Sequence, residues 1–338
     1  MDKLRIAIIG YGYWGPNLVR NFWKNSQCIV THVVDFDKNR LKSVNEDYPS
    51  INTKNTFEEI LNDKSIDCIG IATPVHTHYE LVKKSLQKKK HVFVEKPLTH
   101  SYKKARELIK LAKEKRCVLF VDNTYLYTPA VQELYKQVKS NNIGNIQYID
   151  STRINLGKFQ SHVNVLWDLA THDISICLYL MQEKPNFIQA IGQSHTKSGL
   201  EDIAYLTMHF GSNKIAHFNC SWISPVKIRH MLIGGTKKMI VFNDLESTEK
   251  IKIYDSGYKE KPILTQPNKF LADYRIGDVF SPKLEMTEGL VNVVKDFVLS
   301  IKKKKKPVSN NELSLMIVKI LECAEMSIKN NGKKVKIA

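Results

Sequence analysis

The run Leu4-Arg5-Ile6-Ala7-Ile8-Ile9 leads directly into Gly10-Tyr11-Gly12-Tyr13-Trp14-Gly15, and this junction constrains the fold more than any other feature of the chain. A short apolar strand, a G-x-G-x-x-G turn and a helix start together open a dinucleotide-binding βαβ unit. In that setting Gly10 allows the tight turn, Gly12 lets backbone approach a pyrophosphate, and Gly15 permits close packing of helix on strand. The helix N-terminus then offers amides and a positive dipole end to the phosphates. Tyr13 and Trp14 lie within the loop and count as candidate cofactor contacts.

Asp35 ends the next expected strand, twenty residues after Gly15. A carboxylate there hydrogen-bonds a ribose 2′-hydroxyl and repels a 2′-phosphate, so NAD is expected rather than NADP. Arg40 is the one nearby residue that argues otherwise. Thr73 and Pro74 follow the strand Cys68–Ala72 and should line the nicotinamide side. His76 and His78 come next, at a helix start near the cofactor. No third ligand stands out beside them, and no metal is expected.

The first third of the chain alternates apolar runs with helical patterns. Strands are expected at Leu4–Ile9, Ile29–Val34, Cys68–Ala72, His91–Val94 and Val118–Val121, which implies a parallel sheet with helices on both faces. Beyond Asn123 the pattern changes. Strand-like runs follow at Ile146–Arg153, Phe187–Gln193, Ile203–His209, Ile215–Trp222, Lys227–Ile233, Met239–Asn243 and Ile251–Tyr254. A helix over Leu166–Met181 interrupts them, and two helices, Glu288–Ile301 and Glu312–Lys329, close the chain. The expected class is therefore α/β plus α+β. Residues 1–123 are expected to form an NAD-binding Rossmann domain, and residues 124–338 a substrate-binding domain with a large mostly antiparallel sheet covered on one face by helices. Asp255–Lys283 reads as a long irregular loop, and Ser309-x-x-Glu312 as a capping box.

The formal charge of +17 comes from lysines scattered over all 338 residues. The only long basic run, Lys302 to Lys306, suits a helix end. A solvated basic surface is expected, with no nucleic-acid partner, although it favours anionic small molecules. The six cysteines show no C-x-x-C pair and fit a reducing cytoplasm. No leader and no membrane span are expected.

Three residues carry the expected chemistry. His91-Val92-Phe93-Val94-Glu95-Lys96-Pro97 delivers Lys96 to a strand end, where open α/β sheets hold their ligands. Asp168 and His172 stand four apart on one expected helix face. Alcohol oxidation needs a base for the hydroxyl proton, and His172 is the candidate, with Asp168 orienting its ring and stabilising its cation. Lys96 would hydrogen-bond the reacting oxygen. Alone, an Asp-x-x-x-His pair is an ordinary helix-surface pair; Lys96 at a strand end in the same chain gives it meaning. Glu95 joins the cofactor candidates.

With these motifs the chain resembles the Gfo/Idh/MocA family over essentially its full length. The resemblance maps the family's lysine onto Lys96 and its catalytic Asp and His onto Asp168 and His172. It implies a cis Lys96–Pro97 peptide and a homodimer or homotetramer built on the C-terminal sheet. Gly12-Tyr13-Trp14-Gly15-Pro16-Asn17 and Tyr274-Arg275-x-Gly277-Asp278 resemble members acting on nucleotide-linked sugars. Oxidation of the C3 hydroxyl, as in UDP-N-acetylglucosaminuronate 3-dehydrogenases, is the implied reaction, and surface polysaccharide its implied use. Asn123, Tyr125, Arg153, Asn155, Asn164, Trp167 and Arg275 are then expected to contact substrate. Thr171 departs from the proline or glycine that relatives often carry before the histidine. A 3-keto-sugar nucleotide reductase, a free polyol, inositol or aldose dehydrogenase, and a non-catalytic sensor are the competing readings. Asp35 argues against the first, which would usually take NADPH, and the intact Lys96, Asp168 and His172 argue against the last.

Overall fold

The computed structural model describes residues 3–157, 159–211, 213–262 and 270–337. Two compact units divide the chain, Met1–Thr128 with Thr287–Glu322 and Pro129–Met286 with Cys323–Ala338.

In the first unit, strands β1 (Leu4–Ile9), β2 (Cys28–Val34), β3 (Asn52–Lys54), β4 (Cys68–Ile71), β5 (His91–Glu95) and β6 (Leu119–Asp122) alternate with helices α1 (Gly15–Lys24), α2 (Lys38–Asp47), α3 (Glu58–Leu61), α4 (Val75–Gln87) and α5 (Tyr102–Lys115). The strands pair in parallel in the order β3-β2-β1-β4-β5-β6. Ile6–Ile9 and Cys68–Ile71 are buried without alternation, as strands covered on both faces must be. Strand order reverses between β1 and β4. Such a switch point leaves a crevice at the carboxyl ends of the strands, and Gly10 begins there. Only β3 escaped the sequence reading; its three residues, Asn-Thr-Lys, carry no apolar run.

Phe22, Phe93, Phe120 and Phe297 form one aromatic cluster, with the Phe297 ring 5.5 Å from Phe93 and 5.6 Å from Phe120. Phe297 belongs to the late helix Gly289–Lys302, which therefore packs with the first unit. The boundary expected at 123/124 left that helix with the second domain. Its end at Lys302 puts the lysine run at a helix terminus, as expected. Capping of the last helix, Asn311–Lys329, falls one residue later than read: Asn310 Oδ1 accepts from Leu313 N at 3.0 Å. Ser309 instead donates to the Val121 carbonyl at 2.6 Å, tying that helix start to β6.

The second unit begins with α6 (Pro129–Lys139) and β7 (Ile146–Leu156). A π-helical turn (Leu166–Ala170) then leads into α7 (Thr171–Met181). The strands β8 (Phe187–Gln193), β9 (Ile203–His209), β10 (Ile215–Ser221), β11 (Ile223–Gly235), β12 (Met239–Asn243) and β13 (Ile251–Tyr254) follow. With β7 and the short strands Val279–Phe280 and Val335–Lys336 they make a nine-stranded sheet. All its pairs are antiparallel except β7 with β10. Ala204, Leu206 and Met208 alternate with the more open Tyr205 and Thr207, the signature of a sheet with one covered face.

The region read as an irregular loop contains a two-stranded ribbon, β14 (Gly257–Pro262) with β15 (Phe270–Arg275). Gly-Tyr-Lys-Glu-Lys-Pro gives no apolar pattern to announce a strand, and the ladder hydrogen bonds supply the order. Residues 263–269 of the expected loop lie outside the described residues.

Candidate functional site

In the first unit the glycine loop has the geometry the motif requires. Gly10 takes φ +91°, and a Cβ on Gly15 would stand 2.2 Å from the Gly10 carbonyl oxygen. Helix α1 thus sits tight against the turn that launches it. At Gly12 a Cβ would meet only the flexible Arg40 head at 3.6 Å, which leaves open ground for a phosphate over the helix N-terminus. These residues fit a dinucleotide.

Asp35 is buried and held by backbone. Tyr11 N donates to Oδ2 at 2.7 Å, and Asp37 N donates to Oδ1 at 2.9 Å. Arg40 approaches the same carboxylate at 3.4 Å and Asp37 at 3.4 Å, with its guanidinium over the exposed Phe36 ring. Arg40, the cation read as arguing against NAD, is thereby paired with acids.

Thr73 borders the Gly10 turn, since its methyl would lie 2.9 Å from a Gly10 Cβ. Pro74 and His76 are exposed at the start of α4. His78, in the first turn of α4, has its ring turned inward. It is 1% exposed, with Nε2 2.8 Å from the Thr73 carbonyl and Nδ1 3.0 Å from the Pro97 carbonyl, so the ring links the turns after β4 and β5. Burial pulls its pKa down against the raising effect of those carbonyls. A neutral ring carries a single N–H and satisfies one of the two.

The Lys96–Pro97 peptide is cis. Glu95 and Lys96 are half-buried at the end of β5, while Pro97, Leu98 and Thr99 turn inward. Glu95 pairs in register with Asp122 of β6. Asn123 is buried and donates to Ser309 Oγ at 2.8 Å, so its amide is anchored within this unit. Tyr125 is half-buried on the 3-10 turn Thr124–Tyr127.

In the second unit Asp168 and His172 are half-buried, on a stretch where Trp167, Ala170, Thr171 and Asp173 are buried. The expected continuous α-helix is interrupted here, since Asp168 lies in the π-helical turn and His172 in α7. Such wide turns recur at functional sites. Thr171 accounts for part of the geometry, its hydroxyl donating to the Trp167 carbonyl at 2.6 Å. Asp168 Oδ2 accepts from the indole N–H of Trp222 at 3.0 Å. Trp222 was read only as a strand end, and no motif marks it as a partner of Asp168.

The other expected substrate contacts are largely tied into this unit. Arg153 donates to Asp173 from Nε at 2.9 Å and from Nη2 at 2.7 Å, both side chains being buried. Asp173, next to His172 in the sequence, is thereby paired with Arg153. Asn164 receives Leu166 N at 3.2 Å on Oδ1 and donates to Glu201 at 2.8 Å, which makes it the cap of the π turn. Trp167 is 1% exposed and donates to Glu325 at 2.7 Å. Asn155 is half-buried near the end of β7. Arg275 binds the Lys237 carbonyl at 2.6 Å and the Asp255 carbonyl at 2.8 Å, clamping the base of the ribbon. Its guanidinium holds the Asp255 carboxyl below its ordinary range.

Known proteins align with both units. Residues 4–123 match the NAD-binding Rossmann fold of the GFO_IDH_MocA oxidoreductase family, and residues 131–241 match the GFO/IDH/MocA C-terminal domain. The UDP-N-acetylglucosamine 3-dehydrogenase of Acidithiobacillus ferrooxidans is 24% identical, covering 84% of this chain and 88% of its own. Its solved structure superposes with TM-score 0.82 over 98% of this chain and 99% of that one, at 21% identity. The myo-inositol 2-dehydrogenase of Thermotoga maritima is 21% identical over 96% of both chains. The 2,7-anhydro-N-acetylneuraminate hydratase of Escherichia coli is 24% identical over 74% of this chain and 70% of its own.

Proposed function

The chain belongs to the Gfo/Idh/MocA oxidoreductase family, and from that premise we propose that it oxidises the C3 hydroxyl of a nucleotide-linked sugar resembling UDP-N-acetylglucosaminuronate. It is an NAD-dependent enzyme acting on CH–OH groups. The observation that carries the substrate class is the alignment with UDP-N-acetylglucosamine 3-dehydrogenase along most of both chains. The Gly12–Asn17 motif and the basic surface support it. A 3-keto sugar made this way would feed amino-sugar synthesis for surface polysaccharide.

The Gly10–Gly15 loop, Asp35 and the Thr73–Pro74 turn would hold NAD, which when bound supplies the hydride acceptor. His172 takes the hydroxyl proton as general base. Asp168, fixed by Trp222, orients the imidazole and stabilises its cation. Lys96 donates a hydrogen bond to the reacting oxygen and stabilises charge as the proton leaves. The open sheet face with Tyr148, Ile191, Tyr205 and Ile215 suits a second copy of the chain, giving a homodimer or homotetramer. The six cysteines are all free, which fits a cytoplasmic enzyme.

The myo-inositol dehydrogenase relative favours a second reading, oxidation of a free polyol. Incubating the protein with NAD and a panel of UDP-sugars, dTDP-sugars and free polyols separates the two. Absorbance of reduced nicotinamide should rise with a UDP-sugar acid, in one turnover or continuously. A rise with polyols alone would overturn the nucleotide-sugar reading.

A further inference from the structure

Two glycines of the second unit stand where side chains need room. Gly192 lies within β8, and a glycine inside a strand marks a close approach. A Cβ there would stand 2.9 Å from Glu201 Cγ and 3.1 Å from the Ile203 carbonyl oxygen. Gly157 follows β7, and a Cβ on it would stand 2.4 Å from Trp222 Cδ1. Glu201 and Trp222 are thereby seated tightly, and both lead to the π-helical turn that carries Asp168.

Glu201 Oε2 accepts from Asn164 Nδ2 at 2.8 Å. A carboxylate can only accept, so it sets the Asn164 amide with its NH2 toward Glu201 and its oxygen toward the turn. That oxygen accepts from Leu166 N at 3.2 Å and from Trp167 N at 3.4 Å. The Glu201 carbonyl also accepts from Val165 N, at 3.0 Å. Asp202, the next residue, serves the other side. Its carbonyl accepts from Trp222 N at 2.8 Å, and the Trp222 indole donates to Asp168 Oδ2 at 3.0 Å. The Asp202 carboxylate is itself buried, with His195 N donating to Oδ2 at 2.6 Å and His195 Nδ1 2.8 Å from Oδ1. Two adjacent residues therefore hold the turn at its first amides and, through Trp222, at the Asp168 carboxylate. A π-helical turn is rare by local preference, so bonds from outside the helix decide its shape.

We propose that Glu201 is a positioning residue for the reaction, holding with Asp202 the turn that sets the Asp168 carboxylate. The inference rests on the reading of Asp168 as the acid that orients the base, and it names what fixes that acid. Glu201 acts through the Asn164 amide, so its acceptor oxygen matters and its charge does not. Glu201→Gln keeps such an oxygen, Glu201→Ala removes it, and Glu201→Asp draws it back by one methylene.

The test pairs a spectroscopic signature with kinetics. Four tryptophans give four indole N–H signals in a nitrogen-15 spectrum, and Trp222→Phe identifies the one donated to Asp168. In Glu201→Ala that signal should move as the hydrogen bond to the carboxylate loosens. There kcat should fall by about ten- to a hundredfold, while KM for the sugar and NAD affinity stay within a few-fold of the parent. Glu201→Gln should restore both the signal and kcat. Glu201→Asp should fall between the two, and it serves if the alanine variant does not fold. If either the signal or kcat keeps its parent value in folded Glu201→Ala, the proposal is overturned. A Glu201→Gln variant as impaired as Glu201→Ala overturns it too, since the hydrogen bond to Asn164 would then not be what acts. A signal moved by Glu201→Ala and restored by Glu201→Gln, in a protein that reduces NAD with none of the sugars offered, would support the clamp while counting against the substrate reading.

Discussion

The two units hold their candidate residues in place by different means. In the first, backbone does the positioning: the Gly10 turn, the Gly15 contact, the amides on Asp35 and the strand end that presents Lys96. In the second, side chains position one another across long sequence separations, as Trp222 does for Asp168 and Arg153 for Asp173. Backbone geometry leaves its mark in residue type, because only glycine tolerates the Gly10 and Gly15 environments. A side-chain pair leaves no such mark. The first unit should therefore fail locally when changed, and the second through its networks.

The sharpest way to break that comparison is to remove one chemical group from each unit. Lys96→Ala and His172→Ala should each lower turnover by about 10²- to 10⁴-fold while NAD affinity, read by calorimetry, stays within a few-fold of the parent. Full activity in either variant would remove that residue from the chemistry. A network failure should follow Asp173→Asn, which takes the carboxylate charge out of the buried Arg153–Asp173 pair. Denaturant unfolding should show a loss of about 3–5 kcal/mol. A loss no larger than that of an exposed ion pair would mean the pair does not organise this unit.

Smaller effects sharpen the contrast. Trp222→Phe keeps the ring but removes the N–H that fixes Asp168, a hydrogen bond to a charged group worth about 1.5–3 kcal/mol. A kcat lowered by roughly tenfold, with KM little changed, is expected. If KM rises and kcat holds, Trp222 shapes binding instead. Asp35→Ala should shift the NAD-to-NADP preference by about tenfold, ~1.4 kcal/mol, because it also releases Arg40 toward a 2′-phosphate. An unchanged ratio of kcat/KM values would take Asp35 out of the ribose site.

The same difference explains what the sequence revealed. The parallel sheet and the glycine loop were legible because apolar runs and special glycines are local signals. The strands of the second unit were legible from alternation, apart from the ribbon of Gly257–Pro262 with Phe270–Arg275 and the shortest edge strands. Its side-chain roles were not. Arg153, Asn164 and Trp167 looked like substrate contacts, whereas the structure ties them to Asp173, Glu201 and Glu325. Nothing in spacing shows that a strand arginine will meet an aspartate twenty residues on. Trp222 escaped for the same reason, since it meets Asp168 from another element. His78 read as a cofactor neighbour because its helix starts at the right strand end; the carbonyls of Thr73 and Pro97 draw its ring inward.

The account's central claim is hydride removal from C3 of a nucleotide-linked sugar, and an isotope reads it most directly. UDP-N-acetylglucosaminuronate carrying deuterium at C3 should pass its label to the nicotinamide, detected by mass spectrometry of the reduced cofactor. Reduced cofactor without the label, or the label retained in the recovered sugar after turnover, would contradict the claim.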